Sequence, residues 1–373
     1  MISNSSGTAS KFITPKWAPT GTDTVTVGNN VTLVMLQTAN GSSLQSTKWD
    51  AGSTFQLDTN VLGTTNVNGG AATSNLYNLT VGNTANNNFS DFRASNNLVN
   101  PGGLTMRVNG DVLINQAANG NANHIQLGWS GGTAVSTMYV AGNFTDQGGT
   151  GATSYNTNIT NAKTALIVFN GGSTERDVSI NRNVQSSITS SGSTTNLKIG
   201  ESSSVAGNVR LTHDLTGTVS SLTMLKESRL NVQNFTATMG SLNFADNSGG
   251  QHMTFGYTFG ASDAGLITTG GSLSLNTFNL ELTYDGTSWN DGDSLLLFHY
   301  GSLTGTIALG TVTYAGTYGA LFDDGGGNIY LTNVFAPVPI PEPGSAALLL
   351  GAVGGLLVWT VRRKGRGTPS ARS

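Results

Sequence analysis

Apolar residues alternate with small polar ones in short runs along this chain, and glycine or asparagine ends most of the runs. Leu104-Thr105-Met106-Arg107-Val108, Leu222-Thr223-Met224 and Leu273-Ser274-Leu275 are examples. Alternation sends successive side chains to opposite faces of a strand, so each run predicts a strand with one buried face. Strands are expected at 25–34, 76–81, 104–108, 112–115, 137–140, 165–169, 196–199, 209–212, 222–224, 229–232, 241–244, 272–275, 280–283, 294–298 and 329–332. Val, Ile, Phe and Thr suit a pleated, half-buried surface, and the intervening Gly and Asn supply tight turns.

A loose repeat runs through these strands. An apolar residue, two small or polar positions, Asx and a second apolar residue recur as Val27…Asn30-Val31, Val108-Asn109-Gly110-Asp111-Val112, Val140-Ala141-Gly142-Asn143-Phe144, Ile180…Asn183-Val184 and Val205-Ala206-Gly207-Asn208-Val209. The last four are separated by 32, 40 and 25 residues. Asx-Gly pairs accept the left-handed backbone of a sharp bend, and stacking such units buries each rung against its neighbour. Asn at equivalent turns can then form side-chain ladders. The reading is an all-β body, a parallel β-helix or solenoid over 21–335, with a β-sandwich of the same strands as the alternative.

Composition agrees: five Glu and seven Lys leave little material for solvent-facing helices. No cysteine is present, which excludes disulfides, thiolate metal sites and cysteine nucleophiles. The net charge of −3 hides an asymmetry. Residues 1–344 hold 12 Lys+Arg and 20 Asp+Glu, a net of −8, whereas the last twelve residues hold five basic groups and no acidic one. That split argues against nucleic-acid binding by the body and points to a membrane-flanking tail.

The carboxyl terminus has three successive parts. Pro337, Pro339, Pro341 and Pro343 impose a stiff, extended linker within 336–344. Residues 345–361 form an uncharged run with Leu348, Leu349, Leu350, Val353, Leu356, Leu357, Val358 and Trp359. As a transmembrane α-helix it would rise about 26 Å, the short end of a bilayer span. Arg362, Arg363, Lys364 and Arg366 follow in the basic segment 362–373, expected on the cytoplasmic side with the body outside. Pro341-Glu342-Pro343, the short apolar run and the terminal basic cluster together resemble the PEP-CTERM sorting signal of Gram-negative bacteria. The resemblance implies recognition by an exosortase, removal of the tail, and association with exopolysaccharide.

The amino-terminal segment 1–20 reads as irregular. Met1-Ile2-Ser3-Asn4-Ser5-Ser6 is polar and no signal-peptide core of about 7–15 apolar residues follows, so a start further upstream is expected. Lys16-Trp17-Ala18-Pro19 with Asp23-Thr24-Val25-Thr26-Val27-Gly28 resembles the opening of autotransporter-type repeat proteins. Gly271-Ser272-Leu273-Ser274-Leu275-Asn276…Leu280-Glu281-Leu282, then Trp289-Asn290-Asp291-Gly292-Asp293-Ser294-Leu295, Phe298 and Gly305-Thr306, is similar to the last segment of autotransporter-associated β-strand repeat proteins.

Candidate chemistry is sparse. Gly128-Trp129-Ser130-Gly131-Gly132 fits a nucleophile elbow, but a strand rather than a helix is expected after it, so it reads as a β-turn. His124, His213, His252 and His299 lack the spacing of a helical zinc pair, and no metal or cofactor is expected. Asp323-Asp324 and Asp291 with Asp293 read as solvated turns, with acid–base or calcium chemistry as the sharper alternative. Tyr139, Tyr284, Trp289 and Tyr300 can stack on sugar rings or simply pack between strands. The resulting expectation is a non-enzymatic protein of the cell surface or extracellular matrix, with exosortase, membrane lipid and exopolysaccharide as partners. The alternatives are a polysaccharide-degrading β-helix enzyme, marked by three or more of the fifteen Asp converging in a groove, and a glycan-binding adhesin.

Overall fold

A computed structural model describes residues 2, 8–15, 25–36, 47–58, 63–68, 73–85, 90–95, 105–116, 123–127, 135–147, 159–161, 164–180, 194–215, 219–245, 251–260, 264–286 and 289–337. The described residues are all-β, with a 22-stranded sheet whose pairings are parallel except at the carboxyl-terminal end. Each turn of the chain lays down short strands that pair with their counterparts in the next turn, as in a β-helix. A β-sandwich requires antiparallel neighbours, so parallel pairing favours the solenoid reading.

Successive turns are in register. Val108 pairs with Val140, Val140 with Phe169, and Phe169 with Ile199, at separations of 32, 29 and 30 residues. The second strand of each turn stacks likewise: Phe12, Leu33, Phe55, Leu79, Val112, Phe144, Val178 and Leu211 form one continuous row. All of that row from Leu33 to Leu211 is buried. Burying a Leu or Phe side chain contributes about 1.5–3 kcal/mol, and each rung supplies such residues to both neighbours.

The repeat is therefore more even than the sequence spacing of 32, 40 and 25. Ile180 follows the strand Arg176–Ser179, one strand beyond the corner that Val140 enters, and Asn183 and Val184 lie outside the described residues. Val205 belongs to a small turn bridged to Ser202, an excursion between Ile199 and the strand Asn208–Leu211. The spans 25–34 and 76–81 are each two strands: Val25–Val27 with Val31–Met35, and Thr73–Leu76 with Asn78–Val81. Asn30 turns the first corner at φ 58°, the left-handed region that asparagine tolerates better than other side chains.

Towards the carboxyl end the core becomes aromatic. Phe255 meets Phe298 edge-on at 5.2 Å and Phe278 at 5.6 Å, and the buried Tyr257 hydroxyl donates to the carbonyl of Leu297 at 3.1 Å. The long strand Asp293–Thr313 closes the stack, Asn328–Val334 pairs antiparallel with it, and Leu321–Asp323 pairs antiparallel with Asn328–Val334. None of the described residues is helical, so none offers a helix long and apolar enough to cross a membrane. The run 345–361 lies outside them.

Candidate functional site

Pro341, Glu342, Pro343, Arg362, Arg363, Lys364 and Arg366 all lie outside the described residues, as does Ser130 with its glycines. The other sequence candidates are placed, and most have structural partners. Asp323 accepts the Tyr300 hydroxyl at 2.6 Å and the Gly325 N–H at 2.9 Å. That hydrogen bond raises the Tyr300 phenol to about 12, with burial adding to it. Asp324 accepts the Asn328 side-chain amide at 2.7 Å, the Asn328 N–H at 3.0 Å and the Gly326 N–H at 2.7 Å, which together hold its carboxyl below the usual range. Asp291 accepts the Ala336 N–H at 2.7 Å. These carboxylates tie turns of the terminal rungs.

The aromatics are occupied too. Arg107 lies over the Tyr139 ring at 4.0 Å. Trp289 packs edge-on against Phe259 and donates its indole N–H to the carbonyl of Val334 at 2.9 Å. Tyr284 packs against Phe259 at 5.5 Å between ring centroids. His299 bonds Asn328 at 2.8 Å and His213 lies beside Phe235. His124 is in the strand His124–Leu127. Among the described residues no three His, Asp or Glu gather as metal ligands.

The most organised polar feature is a row of Asx residues along one corner of the stack. Asn78 Oδ1 accepts the Asp111 N–H at 2.8 Å, Asp111 Oδ1 the Asn143 N–H at 2.7 Å, and Asn143 Oδ1 the Asp177 N–H at 2.9 Å. The partners are 33, 32 and 34 residues apart. Each side chain thus takes up a corner N–H of the next turn that no strand bonds. Asp111 and Asn143 stand in the repeat as read from sequence. Asn78 and Asp177 do not, because Tyr77-Asn78-Leu79 and Arg176-Asp177-Val178 carry no glycine to mark a bend. An apolar residue after Asx at a spacing near 33 is the signal that would have found them.

Beside this corner lies an open groove of about 290 Å³, lined by Thr54, Asn78, Thr80, Asp111, Asn143 and Thr145, with Leu113 in the outward row between Thr80 and Thr145 and Leu79 and Val112 beneath. Its lining contains a single carboxylate, Asp111. The floor is flat strand with hydroxyl and amide groups at a rung spacing of about 4.8 Å. Such a surface suits hydrogen bonding to polyhydroxylated chains.

Charged residues form two bracing networks. Arg210 reaches Asp177 at 2.7 Å and Glu175 at 3.1 Å, while Arg229 binds Glu175 and reaches Glu281 at 2.5 Å. Gly256 lies in register between Asn231 and Glu281, and an added Cβ there would meet the Asn231 side chain. In the second network Arg107 meets Glu201 at 2.6 Å, and Asn170 donates to the same carboxylate at 2.7 Å. The Arg107 hydrogen bond, with help from Asn170, holds the Glu201 carboxyl below its ordinary range. Comparison of the chain with protein-family models, curated proteins and solved structures yields no match.

Proposed function

We propose that this chain is an exported, non-enzymatic protein of the bacterial cell surface or extracellular matrix, held there by its carboxyl-terminal sorting segment. The observation that carries this reading is the order Pro341-Glu342-Pro343, an uncharged run over 345–361, and Arg362, Arg363, Lys364 and Arg366. The apolar run partitions into a bilayer, the basic cluster stays cytoplasmic, and the body is left outside. The resemblance to PEP-CTERM signals adds exosortase as the processing partner and exopolysaccharide as the surrounding material. A parallel β-stack rich in Asn, Thr and Ser is consistent with a passive scaffold.

Fractionation of cells expressing the tagged chain with and without residues 341–373 tests the proposal. Retention in the envelope or matrix that depends on the tail supports it; an unchanged cytoplasmic location of both forms defeats it.

The groove beside the Asx corner favours a second reading, glycan binding without cleavage. Its Thr, Asn and Asp side chains offer donors and acceptors, with Leu113 set between Thr80 and Thr145. Incubation with purified exopolysaccharide distinguishes the three outcomes: co-sedimentation indicates an adhesin, new reducing or unsaturated ends indicate an enzyme, and neither leaves the scaffold.

A further inference from the structure

The geometry points to head-to-tail stacking of copies of this chain, the last turn of one copy pairing with the first turn of the next. The inference rests on the two ends of the stack and not on the tail.

At the amino-terminal end, Ser10–Thr14 pairs with Val31–Met35 on one edge, and among the described residues no strand pairs with its other edge. The Ser10 N–H donates to Asn30 and the Thr14 carbonyl accepts from Leu36. Parallel strands alternate the side to which successive residues bond, so the N–H and C=O of Lys11 and Ile13 face the open edge. Phe12 continues the buried row of Leu33, Phe55 and Leu79, yet it is 43% exposed, and among the described residues no strand lies beyond it. Ile13 is 55% exposed.

At the other end, Asp293–Thr313 pairs with Leu266–Tyr284 throughout much of its length, but Asn328–Val334 covers it only over residues 293–299. Beyond Tyr300 its outer edge has no strand partner among the described residues. Leu303, Leu309 and Val312 lie in register with the fully buried Leu273, Phe278 and Leu280, and they are only half-buried. A cavity of about 330 Å³ opens between Leu303 and Ile307 on the last turn and Leu321 and Asp323 of the added strands. Among the described residues, five of the six exposed large hydrophobic ones are at these two ends: Phe12 and Ile13 at one, Tyr318, Phe322 and Phe335 at the other.

The occupant that fits both ends is a second copy. Ser10–Thr14 and the final part of Asp293–Thr313 belong to the same row of parallel strands, so translation along the stack brings them together with the correct polarity. The ends are also oppositely charged. The described residues up to 50 hold two Lys and one Asp, a net of +1, and those of 282–337 hold five Asp and no Lys or Arg, a net of −5. Like-with-like pairing of two acidic ends is thereby disfavoured. A contact between different surfaces related by translation does not close on itself and yields open filaments.

The test uses the full chain in nonionic detergent, followed by sedimentation and electron microscopy. Unbranched filaments one molecule wide, lengthening with concentration, are expected. Ile13→Lys places a charge on the open amino-terminal edge at an already exposed position and should leave the protein monomeric. Leu309→Lys should do the same from the opposite end, with circular dichroism checking that each variant keeps the β signature of the parent. Mixing the two variants restores one compatible pair of ends, so the expected product is a dimer of twice the monomer mass and nothing longer. A parent that stays monomeric at all concentrations overturns the proposal. So does an Ile13→Lys protein that assembles like the parent, which would mean that the ends are covered by another part of the chain or that association uses a side face. If Leu309→Lys fails to fold, Ile13→Lys titrated into the parent decides the matter, since copies blocked at one end must shorten the filaments.

Discussion

Asp111 Oδ1 accepts the backbone N–H of Asn143 at 2.7 Å, joining two turns of the stack across 32 residues of chain. The contact is one step of a row running from Asn78 to Asp177, and it gives each corner amide an acceptor that the strand ladder does not supply. Replacing Asp111 by Ala should lower stability by about 0.5–1.5 kcal/mol, whereas Asp111→Asn keeps an acceptor oxygen and should be nearly neutral. Urea midpoints of the two variants check the difference.

Gly142 sits at the same corner, where an added Cβ would come within 2.5 Å of the Gly110 carbonyl oxygen and 2.4 Å of Asp111 Oδ1. The carbonyl belongs to the backbone and can yield only by shifting the turn. Gly142→Ala should cost about 1–3 kcal/mol. Combined with Asp111→Ala it should cost less than the two changes summed, since both disturb one contact. Denaturation of the double variant measures the coupling.

Arg229 links Glu175 to Glu281, and its removal leaves Glu175 with Arg210 and takes from Glu281 the cation that binds it. All three side chains are partly shielded. Arg229→Met should therefore cost between the ~1 kcal/mol of an exposed pair and the ~3 kcal/mol of a buried one. Adding Glu281→Gln should recover part of the loss, a sign that thermal melts of the single and double variants would reveal.

Glu201 has its carboxyl held low by Arg107, then by Asn170. A carboxylate whose folded value lies below the unfolded value of about 4.3 contributes stability that is present above about pH 4.3 and lost as the pH falls through the folded value. The stability difference between the parent and Glu201→Gln should be largest near neutrality and shrink in acid. Denaturation series at several pH values test it, and a difference independent of pH would contradict the assignment.

Tyr300 shows the opposite sign. Its phenol is raised to about 12 by the hydrogen bond to Asp323. A group raised in the folded state contributes fully below its unfolded value of about 10 and loses that contribution as the pH rises towards 12. In Asp323→Asn the titration of this tyrosine, followed by ultraviolet absorbance, should shift down towards the ordinary range.

Much of the β content was legible because alternation leaves a mark that does not depend on partners. Thr105–Val108, Ser241–Ala245 and Asn328–Val334 lie within a residue or two of the runs read from sequence. Phe144–Asp146 and Arg176–Ser179, outside the expected spans, lack clear alternation and are held extended by neighbours on both edges, whereas Thr54–Leu57 alternates but is only four residues long. Corners were legible where Gly accompanied Asx and hidden at Asn78 and Asp177, where position in the stack alone makes the bend.

The sequence by itself determined an all-β body, a body with acidic excess, and a terminal apolar run followed by basic residues, because composition, period and charge order are local properties. Only the tertiary structure decided which residues share a rung. Val140 pairs with Phe169, not with the more similar-looking Ile180, since register is chosen by continuous burial of facing side chains across the whole stack. The same cause decided that Arg107 meets Glu201 across 94 residues, and that Phe12, one more member of a buried row, is left open at the end of it.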